Sequence, residues 1–133
     1  MKPPVLLCYN LQGEKRRKIR LLAMRLTIRV RNVEPEEYGQ TLAALCGLEP
    51  VSPAPGPAQP FADEMLVLAH FPAELLNRFL YGFRKDDIPP VELKAILTDS
   101  NMRWTSATLR EQLKEEHEAL KNQQAPVHQT KDD

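Results

Sequence analysis

The residues best able to do chemistry lie just after hydrophobic runs of the chain. The candidates for ligand binding are Asn10, Gln12, Gly13, His70, Asn101 and Trp104. An imidazole exchanges protons near physiological pH, amide side chains and glycine N–H groups can hold an anion, and an indole can stack on a ring. These types predict a pocket for a small anionic ligand. Each also has a structural interpretation: His70 could cap the helix after it, and Trp104 could pack against the last helix.

A second group of candidates is basic. Lys15, Arg16, Arg17 and Arg20 form a basic patch in the first predicted helix, and lysines and arginines at a helix N-terminus oppose its dipole. The first 33 residues hold nine basic side chains against one acid, although the whole chain has a net charge of zero. This asymmetry indicates an anionic ligand, an acidic partner or nucleic acid, or two halves that neutralise each other. Nucleic acid is disfavoured, because no aromatic residues alternate with the basic ones.

Several functional classes are excluded by missing residues. A phosphoryl-accepting receiver needs clustered carboxylates for Mg²⁺, yet the first and third predicted strands end in Tyr9-Asn10 and Ala69-His70. A cysteine phosphatase would have arginine six residues after Cys8, where this chain has Glu14. The histidines have no metal-ligand spacing, and one glycine before the first helix makes no phosphate-binding fingerprint. No catalytic residue, metal or cofactor is therefore predicted.

These residues need a scaffold, and hydrophobic periodicity indicates one. Residues 5–9 and 65–69 are unbroken apolar runs typical of buried strands, whereas 27–33 and 91–98 alternate like edge strands. Helices are predicted over 14–26, from Glu34 to Gly47, from Pro72 and from about Thr105. The order is βαβαβαβα.

The remaining segments predict one domain and a tail. Residues 1–121 are expected to form a single α/β domain, with a proline-rich loop over 49–63, and residues 122–133 a disordered polar tail. Cys8 and Cys46 lie in apolar surroundings, as expected of reduced, buried thiols. No membrane-length apolar run or signal-peptide pattern is found, so we expect a cytoplasmic protein.

Strands separated by helices favour parallel pairing. We therefore expect a small three-layer, flavodoxin-like domain with a four-stranded parallel sheet in the order 2-1-3-4, the two apolar strands being central. In such a sheet, ligands bind beyond the carboxyl ends of the strands where the order reverses. This predicts a crevice shared by Asn10, Gly13 and His70.

Three runs of sequence resemble a known family. YNLQGEK, VEPEEYGQ and LKAILTDSN occur in that order, and the chain over about 4–121 resembles the bacterial domain-of-unknown-function 3783 family. The resemblance implies a small bacterial protein without an assigned activity, and it supplies no catalytic residue.

The leading hypothesis is a non-enzymatic binding or regulatory module. Its partner would be a protein, which could be a second copy of the chain, or a small anionic ligand. An enzyme of unknown class using Asn10, His70 and Asn101 is one alternative, and nucleic-acid binding through the first helix is another.

Overall fold

A computed structural model describes residues 2–130, with side chains through residue 121. Its strands are β1 (Val5–Tyr9), β2 (Arg29–Val33), β3 (Met65–Ala69) and β4 (Leu93–Ile96). Its helices are α1 (Gly13–Arg25), α2 (Leu42–Leu45), α3 (Ala73–Lys85) and α4 (Ser106–Thr130), with a 3-10 helix at Pro35–Glu37. The disordered tail predicted over 122–133 stays a prediction. The structure does not describe the side chains of these residues, and from residue 131 it does not describe the backbone either.

The four strands form one open sheet in the order β2-β1-β3-β4, which confirms the predicted order. β1 and β3 lie in the centre of the sheet. Every residue of both strands is buried, because both faces of the sheet are covered there. β1 is parallel to β2, and β3 is parallel to β4. However, β1 and β3 are antiparallel, with Val5 opposite Ala69 and Tyr9 opposite Met65. The prediction of a purely parallel, flavodoxin-like sheet was therefore wrong.

The reason lies in the connection from β2 to β3. After α2 the proline-rich loop returns to the end of the sheet where β1 finishes. There Asn10, the residue after β1, donates its amide to the carbonyl oxygens of Phe61 (3.0 Å) and Asp63 (2.9 Å), just before β3 begins. β3 thus starts beside the end of β1 and must run in the opposite direction. A long loop can deliver a strand to either end of a sheet, unlike a crossover helix alone.

Both faces of the sheet are covered, so the fold has three layers. Leu6 and Cys8 point to the face packed by Ile19 and Leu22 of α1 and by Phe79 of α3. The alternate residues of β1 point to the other face, where they pack with residues from the 3-10 helix region, α2 and α4: Tyr38, Leu42, Leu45 and Leu109. On this second face the hydroxyls of Tyr9 and Ser106 are hydrogen-bonded at 2.6 Å.

The single helix predicted from Glu34 to Gly47 was wrong. The chain makes the 3-10 helix, turns through Gly39, and begins α2 only after Thr41, whose hydroxyl accepts a hydrogen bond from the Ala44 N–H. At Gly39 the backbone lies so close to the proline-rich loop that a Cβ would be 2.2 Å from the Gly56 carbonyl oxygen. The loop therefore interrupts the helix. Gly47 ends α2 with a φ of 82°, as predicted.

The two halves of the sheet repeat the same unit. β1-α1 and β3-α3 match at an offset of 60 residues, and the left-handed residues Asn10 and Thr27 recur as His70 and Asp87. Equivalent residues also meet one another at the junction of the halves. Leu7 pairs with Val67, and Leu22 contacts Gly82. From β2 and β4 onward the offset is 64 residues, since Arg29 corresponds to Leu93, and at this offset Thr41 forms an antiparallel bridge with its equivalent Thr105. A pseudo-two-fold axis through these pairs relates the halves, an internal repeat that sequence reasoning missed.

Candidate functional site

The predicted crevice does not form, because its residues lie at opposite ends of the sheet. Antiparallel pairing places Asn10 beyond one end of β1 and His70 beyond the other, roughly 20 Å apart at the rise of an extended strand. Gln12 and Gly13 stay with Asn10 at the start of α1. Ligand binding by any of these residues individually stays a prediction.

Several candidates have structural partners instead. Besides its two backbone contacts, Asn10 accepts a long hydrogen bond (3.4 Å) from the Tyr38 hydroxyl. Asn101 closes the turn after β4, since its side chain accepts from the Thr98 N–H and donates to the Ile96 carbonyl. Trp104 packs against the core on the α2–α4 face, and its carbonyl accepts from the Leu42 N–H. Gln12 is exposed and forms no side-chain cap on α1.

The basic patch is partly neutralised. Lys15 pairs with Glu64 and donates to the Pro90 carbonyl, and Arg17 pairs with Glu14. Within residues 2–121, no ion pair involves Arg16 or Arg20. Both are exposed, and Arg16 lies beside Asn32 and Val33 of β2. Some of the charge of the first half is thus offset by the second, as in the Lys15–Glu64 pair.

An acidic pocket of about 260 Å³ lies near the start of β3 and β4. It is lined by Asp63, Glu64 and Glu92, with Lys114 and His117 on its α4 side. Each carboxylate has a basic neighbour: Glu64 pairs with Lys15, Asp63 with Arg110 and Lys114, and Glu92 with His117 at 3.6 Å. In the part of the chain with described side chains, no cluster of three or more metal-ligating groups is found.

A basic pocket of about 250 Å³ lies at the opposite end of the sheet. The cations Lys2 and Arg29 and the imidazole of His70 line it, over an apolar wall that includes Val5 and Leu48. The Nε2 atom of His70 is buried and has no hydrogen-bond partner among the described residues. Burial and the nearby Lys2 charge both lower the pKa of His70, which favours the neutral imidazole. Sequence reasoning found His70 but placed it in a different site.

An apolar groove runs along the free edge of β4. Leu76 and Leu80 of α3 form one wall, Lys94 and Ile96 of β4 form the other, and Leu68 lies at the base. The groove has a volume of about 330 Å³, and half of the Ile96 surface and 42% of the Leu80 surface are exposed. Sequence reasoning did not single out these residues, since their periodicity was explained by the core.

The two cysteines are unsuited to nucleophilic chemistry. Both are free and buried, as predicted. Burial raises the pKa of Cys8 to about 12 and that of Cys46 to about 11, although nearby arginines oppose the shift. A thiol that stays protonated at neutral pH is a poor nucleophile.

The Cys8 thiol should make the free energy of unfolding depend on alkaline pH. The folded pKa is above the reference value of 9.0, so this contribution to stability is complete below pH 9 and is lost as the pH rises toward 12. We expect unfolding in urea to become easier over this range, and the slope to be smaller in Cys8→Ala. Equal slopes in the two proteins would contradict the buried, protonated thiol.

Comparison with known proteins finds a match to one protein family. No curated protein and no solved structure gives a significant match to the chain. Among the described residues, no helix is both long and apolar enough to cross a membrane. Residues 64–120, which hold the second repeat with β3, α3, β4 and the first part of α4, match the family described as domain of unknown function (DUF3783). The YNLQGEK and VEPEEYGQ motifs precede this range, so the predicted resemblance to the domain-of-unknown-function 3783 family is confirmed for the second half of the chain.

Proposed function

We propose that this protein is a non-enzymatic, cytoplasmic binding module that takes up an extended segment of a partner protein along the β4 edge. The single observation that carries the proposal is the apolar groove beside that edge. Exposed apolar surface at a sheet edge invites strand addition unless it is blocked by charge or covered. The reduced, buried cysteines support an address in a reducing compartment.

The repeat gives an internal comparison for this groove. At the offset of 60 residues, Leu76 and Leu80 of α3 correspond to Arg16 and Arg20 of α1, and Leu68 corresponds to Cys8. Beside β2, the charged residues Arg16 and Glu34 line the corresponding pocket, and exposed charge discourages another strand from pairing there. The same position in one fold is charged on one edge and apolar on the other, which supports a binding role for the apolar edge.

The backbone of β4 can take part in this binding. The Leu97 N–H donates to the Leu68 carbonyl, so in a parallel ladder the N–H and C=O groups of Lys94 point away from β3. The Ile96 N–H also points outward, while the Ile96 carbonyl accepts from the Asn101 side chain. A short stretch of backbone is thus free for two or three hydrogen bonds.

The groove also indicates the chemistry of its partner. Of the groove residues that the structure describes, Lys94 is the one with a charge, and its ammonium donates to the Val91 carbonyl. A segment with apolar residues at alternate positions and an acidic residue opposite Lys94 would complement it. A second copy pairing β4 with β4 would bring two Lys94 ammonium groups close together, which favours a different protein as the partner.

The proposal can be tested by selecting peptides from a random library displayed on phage. We expect peptides in which apolar residues alternate and an acid recurs at one position. Ile96→Glu should weaken their binding at least about tenfold, because it places a charge in the apolar wall. Met24→Glu is the matched control, since Met24 is an exposed apolar residue on α1 outside the groove.

Two readouts separate this mode of binding from others. On binding, the amides of Lys94 and Ile96 should become protected from hydrogen exchange, and Lys94→Glu should exchange the acidic preference for a basic one. Selection of no peptides, or of peptides that bind Ile96→Glu as well as the parent protein, would contradict the proposal. A dimer in solution that Ile96→Glu dissociates would show that a second copy covers the groove instead.

A further inference from the structure

A second site, independent of the β4 groove, is indicated at the other side of the sheet. The basic pocket brings together Lys2 from the segment before β1, Arg29 from the start of β2 and His70 from the end of β3. These residues are far apart in sequence, and the antiparallel β1–β3 pairing is what places His70 beside the start of β1. Among the described residues that line the pocket there is no carboxylate. Positive charge is therefore concentrated there without a lining acid to offset it.

The repeat shows that His70 differs in its contacts from Asn10, the equivalent residue of the first half. Asn10 and His70 occupy equivalent left-handed positions, with φ values of 61° and 63°. Asn10 uses its side chain to hold the two backbone carbonyls of the segment that precedes β3. His70 lies beside the equivalent segment before β1, at Lys2 and Pro3, yet its Nε2 atom has no partner among the described residues. A buried polar nitrogen left unpaired is costly, so no hydrogen bond among the described residues holds His70 at this atom in the way that Asn10 is held.

The charges favour an anion as that ligand. Lys2 and Arg29 both line the same pocket as His70. An acceptor oxygen could take an N–H of a neutral His70, while Lys2 and Arg29 balance negative charge. Three donors around one small cavity suit a tetrahedral dianion with several oxygens better than a single carboxylate.

We propose that the pocket lined by Lys2, Arg29 and His70 binds the phosphate group of a small phosphorylated molecule. Its volume of about 250 Å³ is slightly below the range of typical ligand sites, which limits the rest of the molecule to a few atoms. In this site Arg29 and Lys2 supply charge, and His70 supplies a directed hydrogen bond.

The test is a titration of the full chain with inorganic phosphate, followed through the His70 imidazole resonances by NMR at neutral pH and constant ionic strength. We expect a saturable shift at His70. Arg29→Ala should weaken the binding at least about tenfold by removing a charge-assisted contact. His70→Asn, which copies the equivalent residue, should also weaken binding when it is followed through the Arg29 amide.

Arg20→Ala is the matched control. It removes an equally exposed arginine that does not line the pocket, so it should bind phosphate like the parent protein. Weakening by Arg20→Ala equal to that by Arg29→Ala would mean a general response to charge and would overturn the proposal. So would the lack of a saturable shift at His70. Acetate binding as tightly as phosphate would overturn the assignment to phosphate.

Discussion

Replacement of Gly39 by alanine is expected to destabilise the protein by about 1–3 kcal/mol, the usual cost of forcing an atom into a packed site. An alanine Cβ would lie 2.2 Å from the Gly56 carbonyl oxygen and 3.4 Å from the Pro55 Cβ. Because the first of these neighbours is backbone, it cannot turn aside as a flexible side chain would. The proline-rich loop must move instead, and with it the contacts that depend on its position. Urea unfolding followed by circular dichroism measures the loss.

One set of these contacts lies next to Gly39. The side-chain amide of Gln40 donates to the Ser52 carbonyl (2.7 Å) and accepts from the Ser52 N–H (2.8 Å), and Gln40 is only 8% exposed. Displacing the loop would leave this buried amide without partners, which adds to the steric cost. Hydrogen exchange at the Ser52 amide should therefore rise in Gly39→Ala.

Gly56→Ala is the matched control on the other side of the same contact. A Cβ built on Gly56 meets nothing within 4 Å, and its φ is outside the left-handed region. This substitution should leave stability unchanged or raise it by a few tenths of a kcal/mol, since alanine has less freedom than glycine in the unfolded chain. If both alanine variants unfold at the same urea concentration, the close approach of the two backbones is refuted.

The Gly39 contact also explains why one helix could not be predicted from the sequence. Over 34–47 the apolar residues recur at helical spacing, and Tyr38, Leu42 and Leu45 are indeed buried together. The spacing says which residues face the core, but not that a loop 17 residues further on meets the backbone at Gly39. The local pattern thus correctly identified the buried residues, but a long-range contact with the proline-rich loop, which covers part of the core, interrupts the helix.

Strand identity was predictable for a different reason. Val5–Tyr9 and Met65–Ala69 are apolar without interruption. A strand that is buried on both faces needs such a sequence, so the central position of both strands could be predicted. The alternation around Arg29–Val33 and Leu93–Ile96 likewise identified the edges. Strand direction is not encoded in that pattern. It depends on where the connection from β2 delivers the chain, and Asn10 holds the last residues of that connection beside the end of β1.

Which candidate residues lie together depends on the direction of β3 relative to β1. With β1 and β3 parallel, Asn10 and His70 would share one crevice, whereas the antiparallel pair places His70 with Lys2 and Arg29 instead. One signal in the sequence could have revealed this. The segments VLLCYN and MLVLAH, and later TLAAL and TSATL, match in pattern, and a repeat of two βαβ units allows the halves to meet about a two-fold axis. An axis perpendicular to the sheet makes the central strands antiparallel.

Asn10→Ala is expected to destabilise the protein by about 1–3 kcal/mol, because Asn10 holds the segment that leads into β3. The substitution removes two hydrogen bonds to the Phe61 and Asp63 carbonyls, each with a net value of about 0.5–1.5 kcal/mol. Alanine is also less well tolerated than asparagine at a φ of 61°, because the short polar side chain of asparagine can hydrogen-bond locally, and this adds to the loss. Thermal unfolding followed by circular dichroism would measure the sum.

Two further variants separate these contributions. Asn10→Gly tolerates the left-handed backbone but makes no side-chain hydrogen bonds, so it should recover part of the loss. Gln12→Ala, an exposed neighbour without a capping bond, should be nearly neutral. If Asn10→Gly is as stable as the parent protein, the amide does not hold the start of β3. The aromatic stack of Tyr38 on Phe61, at 4.4 Å between centroids, would then be the stronger anchor of the loop at this end of the sheet.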